Sequence, residues 1–183
     1  MSPIRTPTAA PAPATAPATA AWRTHDELRP RSHTAARDPR TRSAVWSAWT
    51  EPDKLAQWFL PAPTIARIDR LEARPGGALV TSMSDDGAEF QPHMDACFLL
   101  AEPEERLVFT NAISSSWRPT DPDPVPLTAE ITFAEHPDGT EYTVLLRHGN
   151  PTARARHEQL GFVEGWGSAT AQLARLAEGA GTR

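Results

Sequence analysis

The sequence predicts an α+β fold: a curved antiparallel β-sheet wrapped around a long C-terminal α-helix, with two short helices near the start of the domain. Three observations predict it. A tryptophan-rich stretch, residues 43–61, carries apolar residues at helical spacing. Segments between residues 64 and 148 alternate apolar and polar side chains and are separated by turn signals. A final stretch, residues 151–178, repeats apolar residues along one helical stripe. A sheet with one apolar face and a helix with one apolar stripe can each cover the other.

The helix pair reads SAVWSAWTEPDKLAQWFLP. Trp46 and Trp49 are three residues apart and share a face, and Leu55, Trp58 and Phe59 repeat that spacing. Thr50 is placed to cap the second helix, Pro52 suits its first turn and Asp53 complements its dipole. Each tryptophan buries roughly 150–250 Å² when covered, so the pair must lie on something broad.

The strands follow in order. Residues 64–73 alternate loosely and end at Arg74-Pro75-Gly76-Gly77, a turn signal. Residues 78–84 form the second strand, and Asp85-Asp86-Gly87 turns it into a third over 90–100. Glu102-Pro103-Glu104-Glu105 leads to residues 106–114, where Leu107, Phe109 and Ile113 share one parity. A Pro/Asp-rich loop, 115–126, contains Trp117. Residues 127–134 alternate most regularly, with Leu127, Ala129, Ile131 and Phe133 on one face. His136-Pro137-Asp138-Gly139 closes a hairpin onto residues 140–148, which place Tyr142, Val144, Leu146 and His148 together.

The last helix carries Phe162, Trp166, Leu173 and Leu176 near one stripe, interrupted by Gly161, Gly165 and Gly167. A glycine inside a helix costs about 1 kcal/mol against alanine, so these positions point to close packing, a kink or room for a ligand. Gly161 also fits the end of a helix.

Outside the domain, expected over residues 38–178, lie an N-terminal Ala/Pro/Arg-rich tail (1–37), expected to be disordered, and a short C-terminal one (179–183). Residues 1–21 are Ala/Pro/Thr-rich and cannot build a core. No apolar segment follows Arg5, so no secretory signal is expected. Residues 22–42 are polar and arginine-rich without a period. A GC-rich coding sequence read in another frame yields such a composition, which raises the expectation that the native start lies further along.

The net charge of −5 and pI of about 5.7 argue against nucleic acid as a partner, because that affinity rests on neutralising phosphates. Cys97 is the single cysteine, which rules out an intrachain disulfide and suits a reducing cytoplasm. No apolar run reaches the ~20 residues that span a bilayer, so no membrane partner is expected.

The run VWSAWTEPDKLAQWF, the Pro-Gly-Gly turn, the segment EPEERLVFT and the C-terminal HEQLGFVEGW together resemble the activator-of-Hsp90-ATPase homologue family, within the START-like (SRPBCC) helix-grip superfamily. The resemblance covers about Asp38 to Ala177. It implies a helix-grip fold with an apolar cavity between sheet and long helix. Members of that superfamily bind lipids, polyketides or hormones there, and some cyclise or dehydrate polyketides. The chain departs from the family pattern at its start. Family members open with an apolar strand, whereas here that position falls in the polar residues 24–40. Nothing in residues 1–40 matches the additional domain with which the eukaryotic activator grips its chaperone, so Hsp90 is not an expected partner.

The residues set few limits on the chemistry. The six histidines, among them His25, His33, His136 and His157, show no metal-binding spacing. No P-loop, dinucleotide fingerprint or nucleophile elbow is present, and no cofactor is expected. The expected ligand is a hydrophobic or amphipathic small molecule. Its site would be lined by Trp58, Phe59, Met83, Met94, Phe98, Phe109, His148, Phe162 and Trp166, with Trp117 as a lid over the mouth. Binding is expected ahead of catalysis. The enzymatic alternative is a cyclase or dehydratase with His148, or His93 paired with Asp95 on the same strand face, as general base. A third reading is a co-chaperone-type interaction module with a filled interior and an exposed apolar patch.

Overall fold

The computed structural model describes residues 27–28, 31–34, 41–136 and 139–180. Its sheet is built from hairpin neighbours. Strands β3 (Ile65–Leu71), β4 (Ala78–Ser84), β5 (Gln91–Glu102), β6 (Arg106–Thr110), β7 (Leu127–His136) and β8 (Gly139–His148) pair antiparallel in sequence order. The Pro75-Gly76-Gly77 turn works because Gly76 takes a φ of +76°, which a side chain would resist. The sheet is curved, as the sequence predicts, and does not close.

Beyond β8 lie two short segments, β1 (Glu27–Leu28) and β2 (Arg31–Thr34), both antiparallel to it. They fall within the residues read as a tail and correct that reading for those positions. An edge segment can pair through its backbone without the alternation that marks a half-buried strand. The remainder of residues 1–37 and the tail from 181 lie outside the described residues.

Helices α1 (Thr41–Thr50) and α2 (Pro52–Leu55) form the expected pair. Pro52 and Asp53 occupy the first turn of α2 as predicted. Thr50 does not cap it. Its hydroxyl donates to the Trp46 carbonyl one turn back, and Glu51 stands at the N-cap without a side-chain bond. The C-terminal stretch divides into α3 (Pro151–Gln159) and α4 (Phe162–Ala180). Gly161, at φ +77°, ends the first and starts a new direction. Asn150 caps α3 by accepting from the Ala153 amide, and Pro151 fills its first turn.

The core lies between the inner face of the sheet and the helices. Val45, Trp49, Leu55, Trp58, Leu79, Phe98, Leu107, Ile131, Val144 and Leu173 are fully buried there. Trp58 is anchored by its Nε1–H, which donates to the Ala48 carbonyl at 2.9 Å. Gln172 of α4 ties the segment after α2 to that helix. Its Nε2 donates to the Trp58 and Leu60 carbonyls at 3.1 and 2.8 Å, and its Oε1 accepts from the Ala62 amide at 3.0 Å.

The register fixes which strand ends lie together. Ile65 pairs with Ser84, Met83 with Gln91, Thr110 with Cys97 and Thr128, and Leu127 with His148. The starts of β3, β5 and β7 and the ends of β4, β6 and β8 therefore share one end of the sheet.

Candidate functional site

At that shared end inner-face side chains keep accessible surface. On β4 and β5 the pair Leu79–Ala96 is fully buried, and so is Phe98. Toward the shared end, Met94 and His93 become half-buried and Met83 reaches 39% exposure. On α4, Leu173 and Ala169 are buried, whereas Phe162 and Trp166 of the first turns are half-buried. Phe162 and Trp166 stack at 5.7 Å, and Trp166 reaches Trp49 at 6.3 Å and Trp58 at 6.5 Å. Trp49, Trp58 and Phe59 pack edge to face within 4.9–5.9 Å and form a solid aromatic floor.

The predicted lining residues therefore separate into two groups. Met83, Met94, Phe162 and Trp166 stand at the open end with His148 at the rim. Trp58, Phe98 and Phe109, with 0, 0 and 3% exposure, and Phe59 belong to the packed core. Large aromatic side chains at inward positions fill the deep part of the grip.

Trp117 is not placed as a lid. It is 56% exposed, and its ring lies on the backbone of Gly76 in the β3–β4 turn. The neighbouring Gly77 pairs with Phe98, seven residues along β5 from Gln91, so this turn lies away from the open end. A β-carbon at Gly76 would sit 2.8 Å from the indole, so the missing side chain is what admits the ring.

The His93–Asp95 pair is not formed. A β-bulge interrupts the register between Thr81↔Met94 and Ser82↔Pro92, leaving His93 as the extra residue. Met94 lies on the inner face, and the bulge turns His93 inward beside it, while Asp95 stays exposed on the outer face. His93 Nδ1 lies 2.9 Å from Thr81 Oγ1, and its ring meets the Phe59 ring at 6.0 Å. Burial holds its imidazole below the ordinary histidine pKa.

His148 faces inward, as its parity predicts, and is 8% exposed. Its Nε2 lies 2.8 Å from Nδ1 of His157 on α3, a partner that the sequence reading missed. The His157 ring in turn packs 4.1 Å from Phe162. Burial, with the neighbouring His148, lowers the His157 pKa to about 4. His157 stands nine residues beyond His148, past the Asn150-Pro151 helix start, and that chain reversal was the available signal. Among the described residues, no group of three His, Cys, Asp or Glu side chains converges to hold a metal ion, and no helix is long and apolar enough to cross a membrane.

A curved sheet gripping a C-terminal helix defines a START-like helix-grip protein, a fold that serves as a ligand-binding or interaction module. The chain belongs to the Activator of Hsp90 ATPase homolog 1-like protein family, whose model matches residues 39–178. A crystal structure of a Nitrosomonas europaea protein is 34% identical, covering 86% of this chain and 97% of that one, with a TM-score of 0.75. A Chromobacterium violaceum protein is 24% identical over 83% of this chain and 97% of that one, with a TM-score of 0.62. The AHSA1-like protein of Aeromonas hydrophila is 21% identical over 86% and 95%, with a TM-score of 0.60. Among curated proteins, none matches this chain.

Proposed function

We propose that the protein binds an apolar or amphipathic small molecule at the open end of the grip, between β4–β5 and the first turns of α4. One observation carries this reading. Met83, Met94, Phe162 and Trp166 continue faces whose middle positions, Leu79, Ala96, Ala169 and Leu173, are sealed, yet here they retain accessible surface. Ligand sites of this class are concave and mostly apolar with few polar groups, and methionines suit an adaptable wall. The packed floor of Trp49, Trp58 and Phe59 makes the site shallow, so it favours a compact ring system over a long chain.

Catalysis receives less support. The intended base pair is split across the sheet, and His148 Nε2 is engaged by His157.

Naphthalene, titrated against tryptophan fluorescence, tests the binding reading. Saturable quenching is expected in the native protein and is lost in Met94→Trp, which plugs the mouth without disturbing the floor. A flat titration of the native protein, with no small molecule carried through native mass spectrometry, refutes it.

A further inference from the structure

One histidine at the mouth is set up as a donor. Thr81 is buried, and His93 Nδ1 is the one side-chain partner of its hydroxyl among the described residues. A threonine hydroxyl always has a proton to donate, and a buried one left unpaired is costly. Thr81 Oγ1–H therefore donates to Nδ1, which must be the bare nitrogen of a neutral ring. The ring proton is then on Nε2. That atom has no protein partner among the described residues, and it is not sealed from solvent. Contact with Phe59 at an interplanar angle of 76° fixes the plane of the ring.

We propose that His93 is the polar anchor of this mouth, its Nε2–H donating to a neutral carbonyl oxygen, so that the ligand class is a compact apolar molecule bearing a ketone, ester or lactone carbonyl. The proposal rests on the reading of the open end as a ligand site. A neutral acceptor fits better than a carboxylate, because burial already disfavours the imidazolium that would pair with one. Asp95 cannot reverse the tautomer, because it lies on the other side of the sheet.

The test compares 2-acetonaphthone with 2-ethylnaphthalene, which differ at a carbonyl, by tryptophan fluorescence. The ketone should bind the native protein about fivefold more tightly, the worth of one neutral hydrogen bond. In His93→Phe that ratio should fall to about one. Nitrogen NMR of the native protein should show the Nε2–H tautomer of His93. Thr81→Val, which releases Nδ1, should mix the tautomers and lower the ratio, and it serves where His93→Phe fails to fold. Equal binding of the two probes to the native protein overturns the anchor and leaves the binding site standing. A ratio that survives both substitutions, or an Nδ1–H tautomer, also overturns it. Failure of both probes to bind removes the site and the anchor together.

Discussion

His93 shows what a single residue can hide. Strand alternation assigns it to the face of Asp95, and one bulged position reverses that assignment. No local signature marks the bulge, so the dyad expected from parity dissolves into an inward histidine and an outward carboxylate. The tryptophans are more legible, since spacing alone places Trp49 and Trp58 inward. What spacing cannot say is whether an inward ring lines a space or fills one. Their complete burial says that they fill. Trp58→Ala should therefore cost about 3–5 kcal/mol in urea unfolding, as for other buried aromatic truncations. Tyr142 makes the opposite prediction. Its hydroxyl is fully buried beside the indole of Trp49, without a hydrogen bond of ordinary geometry among the described residues, and burial pushes its pKa well up. Tyr142→Phe removes an unsatisfied polar atom and keeps the ring against Phe133. Stability should stay level or rise by about 1 kcal/mol. A clear loss would show that the Trp49–Tyr142 pair is bonded in solution.

At the scale of elements, α3 and the segment after α2 are the parts that the sequence left open. Both are positioned in part by polar contacts, which carry no period. Gln172 lies on a helix whose stripe reads as apolar, yet its three bonds to backbone groups join α4 to residues 58–62. Gln172→Ala should cost about 1 kcal/mol in urea unfolding, because three backbone groups, two of them partly buried, lose their partner. No residue of α3 is buried, and its contacts with the body include His157 on His148 and Phe162, with an exposed Arg156–Asp123 pair at 3.6 Å. The histidine pair needs one bare nitrogen, and protonating both rings removes it. His157 has a folded pKa of about 4, below its ordinary 6.5. Between those values the unfolded chain binds more protons, so the stability present above pH 6.5 is lost as the pH falls toward 4. The lowered pKa of His93 acts in the same direction. The melting temperature should drop across that window, and His157→Phe, which keeps a ring on Phe162, should flatten the slope. An unchanged slope would assign the acid sensitivity to other groups.

For the molecule as a whole, helix pair, antiparallel run and final helix were legible, because each must hide one apolar face and the periods of 2 and 3.6 record which one. The edges of the sheet were not, because an edge strand is held by its backbone. Arg31 to Thr34 pair with Thr143 to Thr140, and Glu27 and Leu28 with Arg147 and Leu146. These pairs cover β8, which otherwise presents a row of unpaired amide and carbonyl groups beside a buried apolar face. Deleting residues 1–26 removes none of these pairs and should leave the melting temperature and monomer fraction unchanged. Deleting residues 1–34 uncovers β8 and should lower the melting temperature and promote self-association in light scattering. The proposed binding mouth draws on β4–β5 and the first turns of α4, whereas β1 and β2 pair with β8. Whatever monomer survives the longer deletion should therefore still quench with naphthalene. A longer deletion that melts and scatters like the full chain would mean that β8 is the true edge and that the N-terminal segments add nothing to the fold.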